Sequence, residues 1–347
     1  MYIKKILLII VLIGLVVGGV FSYFIYNAIF VSNTSFNNEE AYLYIPSDAN
    51  FKEVKSLAAP LLENLETFEQ VAKRKGYASN VKPGKYAIKK GMNNNDIINT
   101  LRVNNIPVRV SFNNQETIED LAGRISEQIE ADSLSLLKAM NDREFLKTNG
   151  FNQETKLGMY LPNSYEFFWN TSGEEFRERM AKEYQKFWTP ERKTKAEKMN
   201  LTPEEVITLA SLVHKETAKV DERPKVAGLY LNRIRRGMLL QADPTVIYAL
   251  KKEANDFDMV IKRVLYRDLE LDSPYNTYKY AGLPPGPIAM PDISAIEAVL
   301  NSESHDYLYF VADVENFGYH KFAKTLAQHN RNKVQYVQWI NAQKINR

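Results

Sequence analysis

Glutamates, aspartates and tyrosines are the residues whose types and spacing best support chemistry in this sequence. Glu216 lies in the run LASLVHKET (residues 209–217), and Asp243 in QADPTVIY (residues 241–248). Tyr275, Asn276 and Tyr278 belong to YNTY (residues 275–278), just ahead of GLPPGPI (residues 282–288). A carboxyl group shielded from water holds its proton to higher pH, as a general acid must. His214 stands two residues before Glu216 and so points in a divergent direction on a helix. The four histidines (His214, His305, His320 and His329) make no HExxH pair, and cysteine is absent. Zinc hydrolase chemistry of that type and thiol chemistry therefore lose their usual residues. There is no GxSxG elbow and no phosphate-binding glycine loop. What remains is carboxylate chemistry, against the competing reading that Glu216 is an ordinary helix carboxylate paired with a cation.

The elements that must position these groups begin with a well-punctuated helix. Thr202, Pro203 and Glu205 form a capping box with proline at the first helical position, and Leu201 with Val206 completes a hydrophobic staple. The spacing predicts a helix over residues 203–218 with Val206, Leu209, Ala210 and Val213 on its apolar stripe and Glu216 on the shoulder. Asp243 reads equally as a helix cap or Asx turn, with Pro244 at the first helical position. The prolines, glycines and tyrosines of residues 275–288 suit a rigid groove wall. Aromatic rings and amide or carboxylate groups are what a saccharide site needs, although the same residues also fit turns and core of an extracytoplasmic scaffold.

Composition and hydropathy set the wider frame. At 347 residues the chain allows about two domains. Its 45 basic and 42 acidic side chains give +3, too near neutral to argue for a nucleic-acid partner. Residues 6–31 carry no charge, and this run exceeds the roughly 20 residues that cross a bilayer. Lys4 and Lys5 precede it, so the positive-inside bias predicts a cytoplasmic N-terminus and an outward-facing remainder. Short strands at residues 41–45, near residues 84–88 and at 108–112 alternate with helical stretches at 51–76 and 95–101, a small α+β module. Further helical material is expected over residues 121–146 and 174–188, the latter with a solvated charged face, and a loop with an edge strand over 158–167.

The ordered set of LASLVHKET, QADPTVIY, YNTY, GLPPGPI, YLYFVA (residues 307–312), HKF (residues 320–322) and HN (residues 329–330) resembles the YceG-like, MltG-type family of endolytic murein transglycosylases. The resemblance spans essentially the whole chain beyond the apolar run. It implies an α+β protein with an N-terminal transmembrane helix, a small LysM-like module and a mixed α/β catalytic domain. The corresponding boundaries are a cytoplasmic tail over residues 1–5, a signal anchor over 6–31, a linker over 32–40, the module over 41–110 and the catalytic domain over 111–347. The implied location is a single pass through the bacterial inner membrane with the catalytic part periplasmic.

The implied reaction cleaves the MurNAc-β-1,4-GlcNAc bond of nascent glycan strands and leaves 1,6-anhydroMurNAc ends, with Glu216 as general acid and base. Family members commonly carry a second glutamate where this chain has His214, which leaves Glu216 as the acidic candidate within the motif. Gln241, Asp243, Tyr248, Tyr275, Asn276, Tyr278, His320 and Asn330 are the candidate substrate-binding residues, and His329 is a further residue of the C-terminal segment. Structural roles compete for His320, His329 and Asn330. No cofactor and no metal is expected. The partners implied are peptidoglycan strands and membrane-bound wall-synthesis machinery. Two alternatives stay open: a muramidase that adds water using Glu216 and Asp243, and a scaffold that binds peptidoglycan without cutting it.

Overall fold

The computed structural model describes residues 2–342; Met1 of the expected cytoplasmic tail and residues 343–347 of the expected catalytic domain lie outside the described residues. The fold is mixed α/β. It begins with α1 (Tyr2–Phe30), whose most apolar stretch has a mean hydropathy of 2.8 and none of whose residues is buried. At about 1.5 Å per residue, its 29 residues are long enough to cross a hydrocarbon core.

The chain divides into two compact units, the first made of Met1–Val110 with Gln128–Ala131 and Tyr165–Ser172, and the second of the remainder. In the first, β1 (Glu40–Ile45), α2 (Phe51–Ala58), α3 (Leu65–Arg74), β2 (Gly84–Lys89) and α4 (Asn94–Val103) follow in order. β1 and β2 pair antiparallel from Glu40 opposite Lys89 to Ile45 opposite Gly84. The two-residue period of a strand turns Leu43, Ile45, Tyr86 and Ile88 inward, onto Val54, Phe68 and Ile97. The single helical stretch expected over residues 51–76 is in fact two helices. Pro60 lacks an N–H, the chain tightens into a 3-10 turn at Ala59–Leu61, and Asn64 then caps α3 by accepting from the Thr67 amide.

Residues 32–39 are tied into this unit. Ser32 and Thr34 form isolated bridges with Asn93 and Leu62, and the Asn33 side chain reaches the Asn64 carbonyl at 2.9 Å and Asn94 Oδ1 at 2.6 Å. Asn94 in turn donates to the Ala28 carbonyl at 2.8 Å, so the last turn of α1 is held by α4.

The following elements are β3 (Pro107–Phe112), α5 (Ile118–Ser126), α6 (Ser133–Met140), α7 (Arg143–Thr148), β4 (Asn163–Phe168), α8 (Gly173–Phe187), α9 (Pro190–Lys198), α10 (Pro203–Glu216), α11 (Arg223–Arg235), α12 (Asp243–Ala254), α13 (Ile293–Leu300), β5 (Tyr309–Ala312), β6 (His320–Ala323) and α14 (Leu326–Ala342). The sheets are two-stranded: β1 with β2, β3 with β4, and β5 with β6. The helical material expected over residues 121–146 is divided among α5, α6 and α7, with Asp132 and Asp142 capping the last two. On α8, Arg177 is buried and bonds Asp142 at 3.0 Å, so this charged helix, expected to be solvated, also makes a partly buried ion pair.

α10 is the helix around which the second unit packs, with α11, α12 and α13 against it. Thr202 and Glu205 form the reciprocal cap that the sequence predicts. Every residue from Val206 through Val213 is buried, however, and the helix is enclosed all round rather than along one stripe. Its two polar interior residues are satisfied locally: Thr208 donates to the Glu204 carbonyl and Ser211 to that of Thr208. The helix stops at Glu216 because Thr217 turns to an extended backbone.

Candidate active site

Glu216 ends α10, and its carboxyl group is crowded by protein even though the residue keeps some exposed surface. Loss of solvation dominates and lifts its pKa to about 7. The nearby His320 ring, a 3.0 Å hydrogen bond donated by Tyr230 and the Arg233 guanidinium act in the opposite direction, while the Asp243 carboxylate adds to the rise. Tyr230 donates to Oε2, and among the described residues no hydrogen bond engages Oε1. Near neutral pH this group can both give and take a proton.

Asp243 is the first residue of α12 and exposed, and its Oδ1 accepts from the Tyr278 hydroxyl at 2.5 Å. It is not the helix cap that its sequence context predicts. Ala242 occupies that position, with Pro244 one place further in, and Thr277 supplies the hydrogen bonds from a distant segment. The Thr277 hydroxyl accepts from the Ala242 amide at 3.0 Å and meets the Thr245 hydroxyl at 2.9 Å. Gln241 is exposed, with a left-handed φ of 51°, and its backbone N–H donates to the Thr277 carbonyl at 3.1 Å. Burial and Asp243 push the Tyr278 phenol pKa up, with a further contribution from Glu216. Asp243 and Tyr278 thus belong to the electrostatic neighbourhood of Glu216.

Tyr248 and Tyr275 belong to another cluster. Their ring centroids are 4.7 Å apart, the Tyr275 hydroxyl donates to Glu154 at 2.7 Å, and the Lys252 ammonium lies 4.5 Å over the Tyr275 ring while pairing with Glu154. Asn276 is fully buried and pins its own loop, donating to the Leu269 and Leu271 carbonyls and accepting from the Tyr278 amide. The proline-rich segment beyond it is packed: Ile288 donates to Ser211 on α10. Gly286 approaches the Glu154 carbonyl so closely that a Cβ there would lie 2.1 Å from the oxygen.

His320 opens β6. Its amide and ring Nδ1 both reach the buried Glu222 carboxylate, at 2.7 and 2.9 Å, and these contacts hold the Glu222 pKa low against the opposing effect of burial. A cavity of 330 Å³ is lined in part by Glu222 and His320. His329 stacks on Tyr309 with centroids 5.4 Å apart, and Asn330 is exposed on α14. His214 lies 3.3 Å from both Arg223 Nη2 and Asp292 Oδ2, beside but outside the Glu216 contacts. Among the described residues no group of three or more His, Cys, Asp or Glu side chains is arranged to hold a metal ion.

Sequence reasoning did not single out Tyr230, Arg233 or Glu222. Tyr230 sits within a mostly apolar helix and Arg233 begins a basic run that reads as surface, so neither carries a local signal. Glu222 flanks Arg223-Pro224 and resembles a helix-start acid.

The YceG-like family model matches residues 43–335 of the chain. A Bacillus subtilis protein described as an endolytic murein transglycosylase is 32% identical over 312 residues, which cover 84% of this chain and 84% of that protein. A Streptococcus pneumoniae protein of the same description is 30% identical over 324 residues, covering 84% of this chain and 58% of its own length. The crystal structure of a yceG-like protein from Listeria monocytogenes matches with a TM-score of 0.57 and 28% identity, over 85% of this chain and 99% of that one.

Proposed function

The chain belongs to the YceG-like family, and from that premise we propose that it is an endolytic lytic transglycosylase of peptidoglycan with Glu216 as its acid and base. The observation that carries the reading is a single crowded carboxyl group, poised to ionise at about pH 7, at the end of the helix motif. Neutral Glu216 donates its proton to the glycosidic oxygen between MurNAc and GlcNAc, and the GlcNAc hydroxyl departs. The carboxylate so formed takes the proton of the muramyl C6 hydroxyl, whose oxygen bonds to C1 and closes the 1,6-anhydro ring. Because the substrate supplies the nucleophile, one carboxyl group serves both steps, and water is not consumed. Tyr230 orients Glu216, while Asp243 and Tyr278 are placed to answer charge developing on the sugar.

In this reading α1 is the single membrane pass, with the N-terminus cytoplasmic and the rest extracytoplasmic. Residues 41–110 form a LysM-like glycan-binding module, supported by the β-α-α-β order and antiparallel β1 and β2. Residues 111–347 form the catalytic domain. Gln241, Tyr248, Tyr275, Asn276, His320 and Asn330 complete the proposed substrate-binding set. The proximity of Asp243 to Glu216, visible in its effect on the carboxyl group, favours a muramidase as the second reading. Mass spectrometry of products from uncross-linked and intact peptidoglycan, with and without borohydride reduction, separates the two. Anhydromuramyl ends from the parent and their absence with Glu216→Gln support the transglycosylase; reducible muramyl ends establish hydrolysis; uncut strands that still bind the protein point to a scaffold.

A further inference from the structure

Arg233, on α11, is 7% exposed and spends its side chain on backbone carbonyls. Nε donates to Leu308 at 2.7 Å, and Nη1 to Leu240 at 2.7 Å and Leu239 at 3.2 Å. Among the described residues no carboxylate lies within ion-pair distance of it and no hydrogen bond engages Nη2. Three segments meet at this guanidinium. α11 carries Tyr230, residues 239–240 lead into Gln241 and Asp243, and Leu308 leads into β5, whose partner strand carries His320. The far side is closed by aromatic stacking, with the Tyr309 ring 5.5 Å from the guanidinium carbon and His329 stacked on Tyr309.

A buried cation without a counter-ion is costly, and a fold that keeps one gains from an anion formed nearby. We propose that Arg233 is a positioning residue for Glu216: it joins the three segments that carry the surrounding side chains, and it places a fixed positive charge where the carboxylate forms during proton transfer. The inference rests on the acid-base role of Glu216 proposed above. The charged and titratable groups that face Glu216 are Tyr230 and Arg233 from α11, Asp243 from α12, Tyr278 from the loop beyond it, and His320 from β6, itself paired with Glu222. His320 has the Glu222 carboxylate beside it at 2.9 Å, whereas Arg233 has no carboxylate within ion-pair distance among the described residues.

The test is an NMR titration of the full chain in detergent micelles with carbon-13 at the glutamate carboxyls, the Glu216 signal being assigned by its loss in Glu216→Gln. It is run on the parent, Arg233→Gln and Arg233→Lys beside activity profiles against pH. Removing the cation disfavours the carboxylate, so in Arg233→Gln the Glu216 midpoint rises by a few tenths of a unit and the basic limb of activity rises with it. Arg233→Lys keeps the charge but cannot span three carbonyls, so the midpoint stays near the parent value while kcat falls about tenfold with KM unchanged. A folded Arg233→Gln protein that titrates like the parent overturns the inference, as does a Lys form with undiminished kcat. If the Gln form does not fold, the Lys form decides: a displaced midpoint or an intact rate refutes the proposal. A midpoint that moves in a protein that cuts no glycan rejects the transglycosylase reading while leaving the Arg233–Glu216 coupling standing.

Discussion

The contact of α1 with α4 inside the first unit and the surroundings of Glu216 in the second both bury polar side chains, by opposite means. At that contact the groups are neutral amides. Asn94 donates to the Ala28 carbonyl and the Thr67 hydroxyl and accepts from Asn33, while Asn33 exchanges bonds with the Asn64 backbone. Around Glu216 the buried groups are ionisable and imperfectly matched, with a carboxyl raised to about 7 and a guanidinium bound only to carbonyls. Saturated amide networks hold geometry irrespective of pH, whereas unmatched charge stores free energy that proton transfer can release.

The largest expected effect tests the charged side of this contrast. Glu216→Gln should lower glycan cleavage by about 1000-fold, the scale of lost general acid-base catalysis, while leaving the melting temperature of the detergent-solubilised chain no lower than the parent's. A variant that unfolds would make Glu216 a structural group like Asn94.

Next in size is the dependence of stability on pH. The folded pKa of Glu216 lies above the value of an unfolded glutamate, so its contribution is fully present below about pH 4.5 and is lost as pH rises through about 7. The parent should therefore lose about 3 kcal/mol more than Glu216→Gln between pH 4.5 and pH 8 in urea denaturation. Parallel stability curves for the two proteins would remove the stored energy from the comparison.

Asn94→Ala probes the neutral side. Loss of its hydrogen bonds should destabilise the first unit by about 2 kcal/mol, equally at pH 5 and pH 8, with little change in cleavage rate. Hydrogen exchange of the α3 and α4 amides reads the location, and a pH-dependent loss would blur the distinction. The smallest effect is assigned to Asp243→Asn. Removing an anion that raises the Glu216 pKa should shift the basic limb of activity downward by a few tenths of a unit, with anhydromuramyl products retained. Complete inactivation with the parent's fold preserved would instead move Asp243 into the chemistry and favour hydrolysis.

What could be read in advance follows the range of the interactions. The Thr202–Glu205 cap, the strand alternation of Leu43 and Ile45, and the apolar α1 depend on neighbours within a few residues. The Asp-Pro pair carries a local cap signal that competes with a site role for Asp243, whereas the hydrogen bonds at that helix start come from Thr277, over thirty residues away. Tyr230 and Arg233 went unmarked because nothing near them in sequence distinguishes a buried phenol or guanidinium from an ordinary helical one.

The sequence by itself determined the apolar helix, the alternating elements of the small unit, the start of α10 and the family motif that contains Glu216. Those rest on hydropathy, short-range hydrogen bonds and residue identity. Only the tertiary structure decided that α10 is enclosed on every side, that Tyr230 holds one oxygen of Glu216, that Asp243 answers to Tyr278, and that Arg233 lies buried with carbonyls for partners. Desolvation and electric field at a carboxyl group are sums over everything packed around it, and the packing brings together segments that are far apart along the chain.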